Sequence, residues 1–429
     1  MPGQGPTTGR QRRWAVVLLG ALLLGLLVPA AALAADDPYR DQQWALERIG
    51  VDRAWQTAGS RGDDVIVAVV DTGVDLGHPD LRERFLRDPA GEVVGLDLVA
   101  DGAPQDEHGH GTLVAGVIAA TADNGAGVVG VAPMARLLPI RVLDEVGSGE
   151  GADVDTAIRW AVDQGADVVN LSLESVKAAG DGTTAPGAPT DAVRYAWERG
   201  VIVVAAAGNS GGTPTEYPLD SPVLLVGAVD RDDKRADFSA GVREDAVLAP
   251  GVDIVSTWCR AGSAERCEPD THTYGMAEGT SFAAPHVSGA IALLLAAGHS
   301  PEEAVARLRA SAVDLGPAGP DAEHGHGRID VAAALATDLA VAHSTIPEEL
   351  STPAAPMPSP TETVPPADVP DPSPQPTPSP PAEAEPQAVA VPVDQPRRPR
   401  GMPGLVHLVA AVCLGITLAT WSAVARRQT

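Results

Sequence analysis

Two kinds of apolar run alternate through the middle of the chain. The stretches VIVAVVDTG (65–73), ARLLPIRVL (135–143), ADVVNLSL (166–173) and VIVVAAAG (201–208) are short, almost continuously apolar and rich in β-branched residues. Runs of that kind predict strands buried on both faces. Between them, GTLVAGVIAATA (111–122), GADVDTAIRWAVDQG (151–165) and PTDAVRYAWERG (189–200) predict helices. Strand–helix alternation predicts an α/β fold of three layers, with a mostly parallel central sheet flanked by helices. Functional groups in such sheets gather at the carboxyl ends of strands. Asp71, Ser172 and Asn209 all fall at or just past such ends.

The pattern changes at both ends of the chain. Arg10, Arg12 and Arg13 precede a long apolar run that closes on Ala32-Leu33-Ala34, which predicts a signal peptide over 1–34 with cleavage before Ala35. Residues 345–403 are dense in proline and nearly lack large apolar side chains, so they predict a disordered stalk. Residues 404–425, GLVHLVAAVCLGITLATWSAVA, are long and apolar enough for one transmembrane helix. Arg426 and Arg427 in the 426–429 tail suit a cytoplasmic end. The expected product is a globular region, 35–344, held on the extracytoplasmic side of the cell membrane, with the lipid bilayer as a partner. A net charge of −27 argues against a nucleic-acid partner. Cys259 and Cys267, eight residues apart on the exported side, predict a local disulfide.

Candidate chemistry lies in the globular region. Asp71 abruptly ends an apolar strand, where a carboxylate needs hydrogen bonds or a cation. His110 opens a helix of small residues, with His108 as its competitor two residues earlier. The HGH triplet lacks the further ligands that a zinc site needs. Asn209 follows a strand end beside Gly208, where an amide donor suits a developing oxyanion. Ser281, in GTSFAAPHVSG, begins a buried helix, where its own backbone N–H has no intrahelical partner.

In this order DTGVD, HGTLVAG, AAGN and GTSFAAPHVSG resemble the motifs of subtilisin-like serine proteases. The resemblance implies hydrolysis of polypeptide substrates with Ser281 as nucleophile, His110 rather than His108 as general base, and Asp71 orienting the ring. Asn209 and the Ser281 N–H would form the oxyanion hole. Ser172, Leu173, Glu174 and Gly208 would bind substrate, although the family usually has glycine where this chain has Glu174. No cofactor is implied for the chemistry. A structural Ca2+ is a family habit, and Asp37, Asp80 and Asn124 are its side-chain candidates. Residues 35–71 are too short for the usual inhibitory pro-domain and predict an arm packed on the domain. Signal, protease, stalk and anchor together resemble the mycosins, which implies processing of exported substrates beside a type VII secretion membrane complex. A structural role in that complex with dispensable activity, or broad surface proteolysis, are the competing expectations.

Overall fold

A computed structural model describes residues 37–173, 189–212, 217, 221–260, 267 and 272–336. The predicted signal peptide, stalk and transmembrane segment, and Glu174, lie outside these residues. Among the described residues no helix is long and apolar enough to cross a membrane.

The predicted strands form where the apolar runs stand: β1 (Ile66–Asp71), β3 (Arg136–Arg141), β4 (Val168–Leu171) and β5 (Ile202–Ala206). With β2 (Leu96–Asp97), β6 (Val223–Val229) and β7 (Val247–Pro250) they make a seven-stranded sheet of order β2-β3-β1-β4-β5-β6-β7. Every pairing in it is parallel. Along β1, Val67 and Val69 enter one apolar core while Ala68 and Val70 enter the other. Burial on both faces explains why the strand reads as continuously apolar rather than alternating.

One core lies under α3 (His110–Ala119) and α6 (Thr280–Ala296). The other lies under α4 (Gly151–Asp163) and α5 (Thr190–Trp197). The two pairs of helices differ in sequence because they differ in exposure. Every residue from Thr280 to Leu294 in α6 is buried, so that helix carries no polar face, whereas α4 buries only one stripe. The arm runs through α1 (Trp44–Arg48) and α2 (Val51–Ala58), and it buries Leu46, Ile49, Val51 and Ala54 in the core beneath α6. An antiparallel pair, β8 (Ile254–Trp258) and β9 (Thr273–Ala277), leads into α6, and α7 (Pro301–Ala310) and α8 (Val331–Ala336) close the domain.

Strand order reverses direction at β1, since the chain moves outward to β3 on one side and returns through β4 on the other. Ligand crevices of open α/β sheets lie outside the carboxyl ends of strands at such a point. Asp71 ends β1, and Ser172 follows β4 there.

Candidate active site

The His110 ring opens α3, and its Nδ1 stands 2.8 Å from Asp71 Oδ1 and 3.0 Å from Oδ2. Asp71 is fully buried. A carboxylate can only accept, so Nδ1 carries the proton and Nε2 presents its lone pair. The ring also packs on Phe282, with centroids 5.2 Å apart, which brings α3 against the start of α6. Ser281 is the residue before Phe282 and the second of α6.

Sequence at the start of α6 explains the local geometry. Gly279 precedes the helix at φ 147°, a conformation that L side chains rarely adopt. Asn209 Oδ1 accepts from Thr280 N (2.8 Å) and Thr280 Oγ1 (3.1 Å), which fixes Nδ2 as the donating end of the amide. Thr280 N is bonded to Asn209 and Phe282 N to Gly279 O, while the Ser281 N–H between them comes too early in the helix for an i−4 acceptor. Asp71 thus holds the His110 ring, the ring packs on Phe282 beside Ser281, and Asn209 is bonded to Thr280 on the other side of Ser281.

Pro285 has a further effect four residues into the helix. It lacks the N–H that would bond to the carbonyl of Ser281, and Ser172 Oγ donates to that carbonyl instead at 2.7 Å. Ser172 Oγ accepts from Asn170 Nδ2 (2.8 Å), and Asn170 Oδ1 accepts from Ser288 Oγ (2.8 Å). A buried polar chain thus ties the end of β4 to the nucleophile position on α6. The Ser172 side chain belongs to this support and is buried. Gly208 is likewise committed inward, its N–H donating to Thr280 Oγ1 and its carbonyl accepting from Ala240 N. Leu173 packs against the core under α4 and α5. Asn170 and Ser288 carried no signal of their own; the proline four residues after Ser281 was the readable clue.

Asp71 bonds the ring of His110, not that of His108. Burial pushes its pKa down to about 4, helped by His110 and Arg260, and its Nδ1 has no partner among the described residues. Cys259 and Cys267 are joined as a disulfide. Their sulfurs lie close to Asp106, but bonded sulfurs and a carboxylate saturated by hydrogen bonds do not make a metal site.

The three expected calcium residues do converge. Asp37 accepts from the N–H groups of Asp123, Asn124 and Gly125, and Asp80 accepts from Asn124 Nδ2 and Val128 N. Burial is the main cause that pushes Asp80 up to about 6, and the nearby Asp37 charge adds to it. Burial also raises Asp37. Two crowded carboxylates are a hard-oxygen set of the kind Ca2+ takes. Asn124 turns Nδ2 toward Asp80 and its oxygen toward Ala126 N.

Residues 62–327 match the subtilase family, Peptidase_S8. The chain belongs to the subtilase family. Thermitase of Thermoactinomyces vulgaris is 40% identical over 269 residues, which cover 62% of this chain and 86% of that one. Subtilisin DY of Bacillus licheniformis is 38% identical over 288 residues, covering 65% and 93%. A solved protease structure from Pseudoalteromonas arctica superposes with a TM-score of 0.59 at 30% identity, covering 71% of this chain and 99% of that one. This subtilase is a serine-type endopeptidase, and the family needs no cofactor for catalysis.

Proposed function

We propose that this subtilase cleaves exported polypeptides through Asp71, His110 and Ser281, as a membrane-anchored, mycosin-like processing protease of type VII secretion. The observation that carries the catalytic part is the Asp71 carboxylate on His110 Nδ1, at the rim where Ser281 opens α6. His110 Nε2 takes the Ser281 hydroxyl proton as Oγ attacks the substrate carbonyl, then delivers it to the leaving amine. Asp71 holds the ring in this tautomer and stabilises the imidazolium. Asn209 Nδ2 and the Ser281 N–H receive the charge that develops on the carbonyl oxygen. The backbone after β4, at Ser172 and Leu173, pairs with extended substrate, and Gly208 borders the same cleft. Asp37 and Asp80 would hold a structural Ca2+ between the arm and the 122–128 loop, and Asn124 would join them once its amide turned to present Oδ1 instead of Nδ2. Support for the anchored, secretion-linked part comes from the sequence: the signal-like start, the proline-rich stretch and the apolar segment at 404–425.

Ser281→Ala in the full chain is the test. Purified variant is expected to lose peptidase activity, membrane fractions are expected to hold the protein, and the culture medium is expected to lose a small set of processed N-termini. Activity that survives the substitution sinks the triad. Protein found only in the medium sinks the anchor. General loss of casein degradation with no effect on specific exported proteins sinks the processing role.

A further inference from the structure

We infer that Asp106 is the positioning residue that holds His110 against Asp71, an inference that rests on the triad reading above. Asp106 is fully buried and four residues upstream of His110. Its Oδ1 accepts from Thr72 Oγ1 (2.9 Å), His108 N (2.9 Å) and Gly109 N (2.7 Å), and its Oδ2 from Thr112 N (2.9 Å) and Thr112 Oγ1 (2.5 Å). The five donors come from both sides of the His110–Asp71 contact. Thr72 is the residue after Asp71, and its N–H donates to Asp71 Oδ1 at 2.7 Å. The Thr72 hydroxyl that donates to Asp106 accepts in turn from Gly111 N, the residue after His110, at 3.0 Å.

The local sequence makes this carboxylate necessary. The N-cap of α3 is Gly109, at φ 107°, and a Cβ there would lie 2.9 Å from the Trp258 ring. Neither serine nor aspartate can therefore stand at that cap, and the first N–H groups of α3 need acceptors from elsewhere. Asp106 reaches in from outside the helix to accept from Thr112 N, and the Thr72 hydroxyl bonded to it accepts from Gly111 N. Its charge faces the positive end of the helix, where an anion is favoured. Burial raises its pKa, the hydrogen bonds from Thr112, Gly109 and Thr72 pull against that rise, and every contact named is a donor, which is the pattern of an ionised carboxylate. Strand end and helix start are thereby fastened to one group, and the ring and carboxylate they carry cannot drift apart independently.

The test uses the full chain with Asp106→Asn and Thr72→Val, assayed on one peptide substrate well below each melting point. Both should lower kcat, Asp106→Asn by about tenfold to a hundredfold, with KM within about twofold, because a misplaced catalytic group costs rate rather than binding. The acid limb of the kcat/KM pH profile should move as well, since His110 loses its fixed relation to Asp71. Ile158→Val, in the core on the opposite face of the sheet, should lower the melting point and leave kcat and the profile unchanged. Wild-type kcat and an unshifted profile in both variants overturn the inference, as does an Ile158→Val enzyme that shows the same losses. If Asp106→Asn does not fold, Thr72→Val decides alone, because its fold asks only for the loss of one hydroxyl. Ser281→Ala run beside them separates the failures: inactive Ser281→Ala with normal Asp106→Asn removes only this inference, whereas active Ser281→Ala removes the triad beneath it.

Discussion

Asn209 does two jobs with the two ends of one amide. Oδ1 fixes the first N–H of α6, and Nδ2 is the donor assigned to the oxyanion. Substitution can separate them. Asn209→Asp keeps an acceptor for Thr280 N and removes the donor; Asn209→Ala removes both. Both should lower kcat by about a hundredfold to a thousandfold with little change in KM, the range known for losing one such donor in a subtilisin. Only the alanine variant should also melt earlier. A kcat for Asn209→Asp within about threefold of wild type excludes the oxyanion role. The four candidate residues were readable from their settings, an acid at a strand end, a histidine and a serine at helix starts and an amide beside a glycine, only together with the resemblance of their motifs to subtilisin-like proteases. Asp106 and Asn170 were not, because their partners are backbone groups and hydroxyls, and Asn170 meets Ser288 across 118 positions of chain. A lone polar residue in sequence gives no hint of that.

At the scale of elements, the strands and helices with strong periodicity stand where the pattern put them. The exceptions have physical causes. Helix α1 has five residues, too few for a 3.6-residue period to show, and it forms because Ala45 and Leu46 are buried on the domain. Strands β8 and β9 pair across the intervening 259–272 segment, so neither reads as half of a tight hairpin. The arm buries Leu46, Ile49, Val51 and Ala54 against the domain. It meets the domain at the Asp37–Asp80 pair, and this junction is where bound Ca2+ should act. Added calcium at about a hundred times its dissociation constant should stabilise the fold by about 2.7 kcal/mol, seen as a higher melting point than in chelator. Asp80→Asn should abolish the difference. Identical melting curves with and without chelator mean that the arm is held by its hydrogen bonds and apolar contacts alone.

The whole molecule couples its stability to pH through groups that folding buries. His286 lies inside α6 with Nδ1 donating to Phe282 O at 2.8 Å, and burial lowers its pKa from 6.5 to about 4. His108 is lowered to about 4 in the same way. For a histidine held neutral in the fold, the unfolded chain binds the proton first. Its contribution is therefore fully present above pH 6.5 and is lost as pH falls from there toward about 4. Asp80, raised from 3.8 to about 6 in the calcium-free protein, works there in the opposite sense: the folded state protonates first, so falling pH from about 6 toward 3.8 favours the calcium-free fold. Opposed groups make the net acid curve hard to apportion, but a difference between two proteins isolates one of them. Urea midpoints of wild type and His286→Gln, taken from pH 7 to 4 at fixed calcium, should diverge in slope. Wild type should lose about 1.4 kcal/mol per pH unit more than the variant inside the window, and nothing extra above it. Parallel curves throughout would mean that His286 takes up its proton equally in both states, and that the acid sensitivity of the domain arises elsewhere.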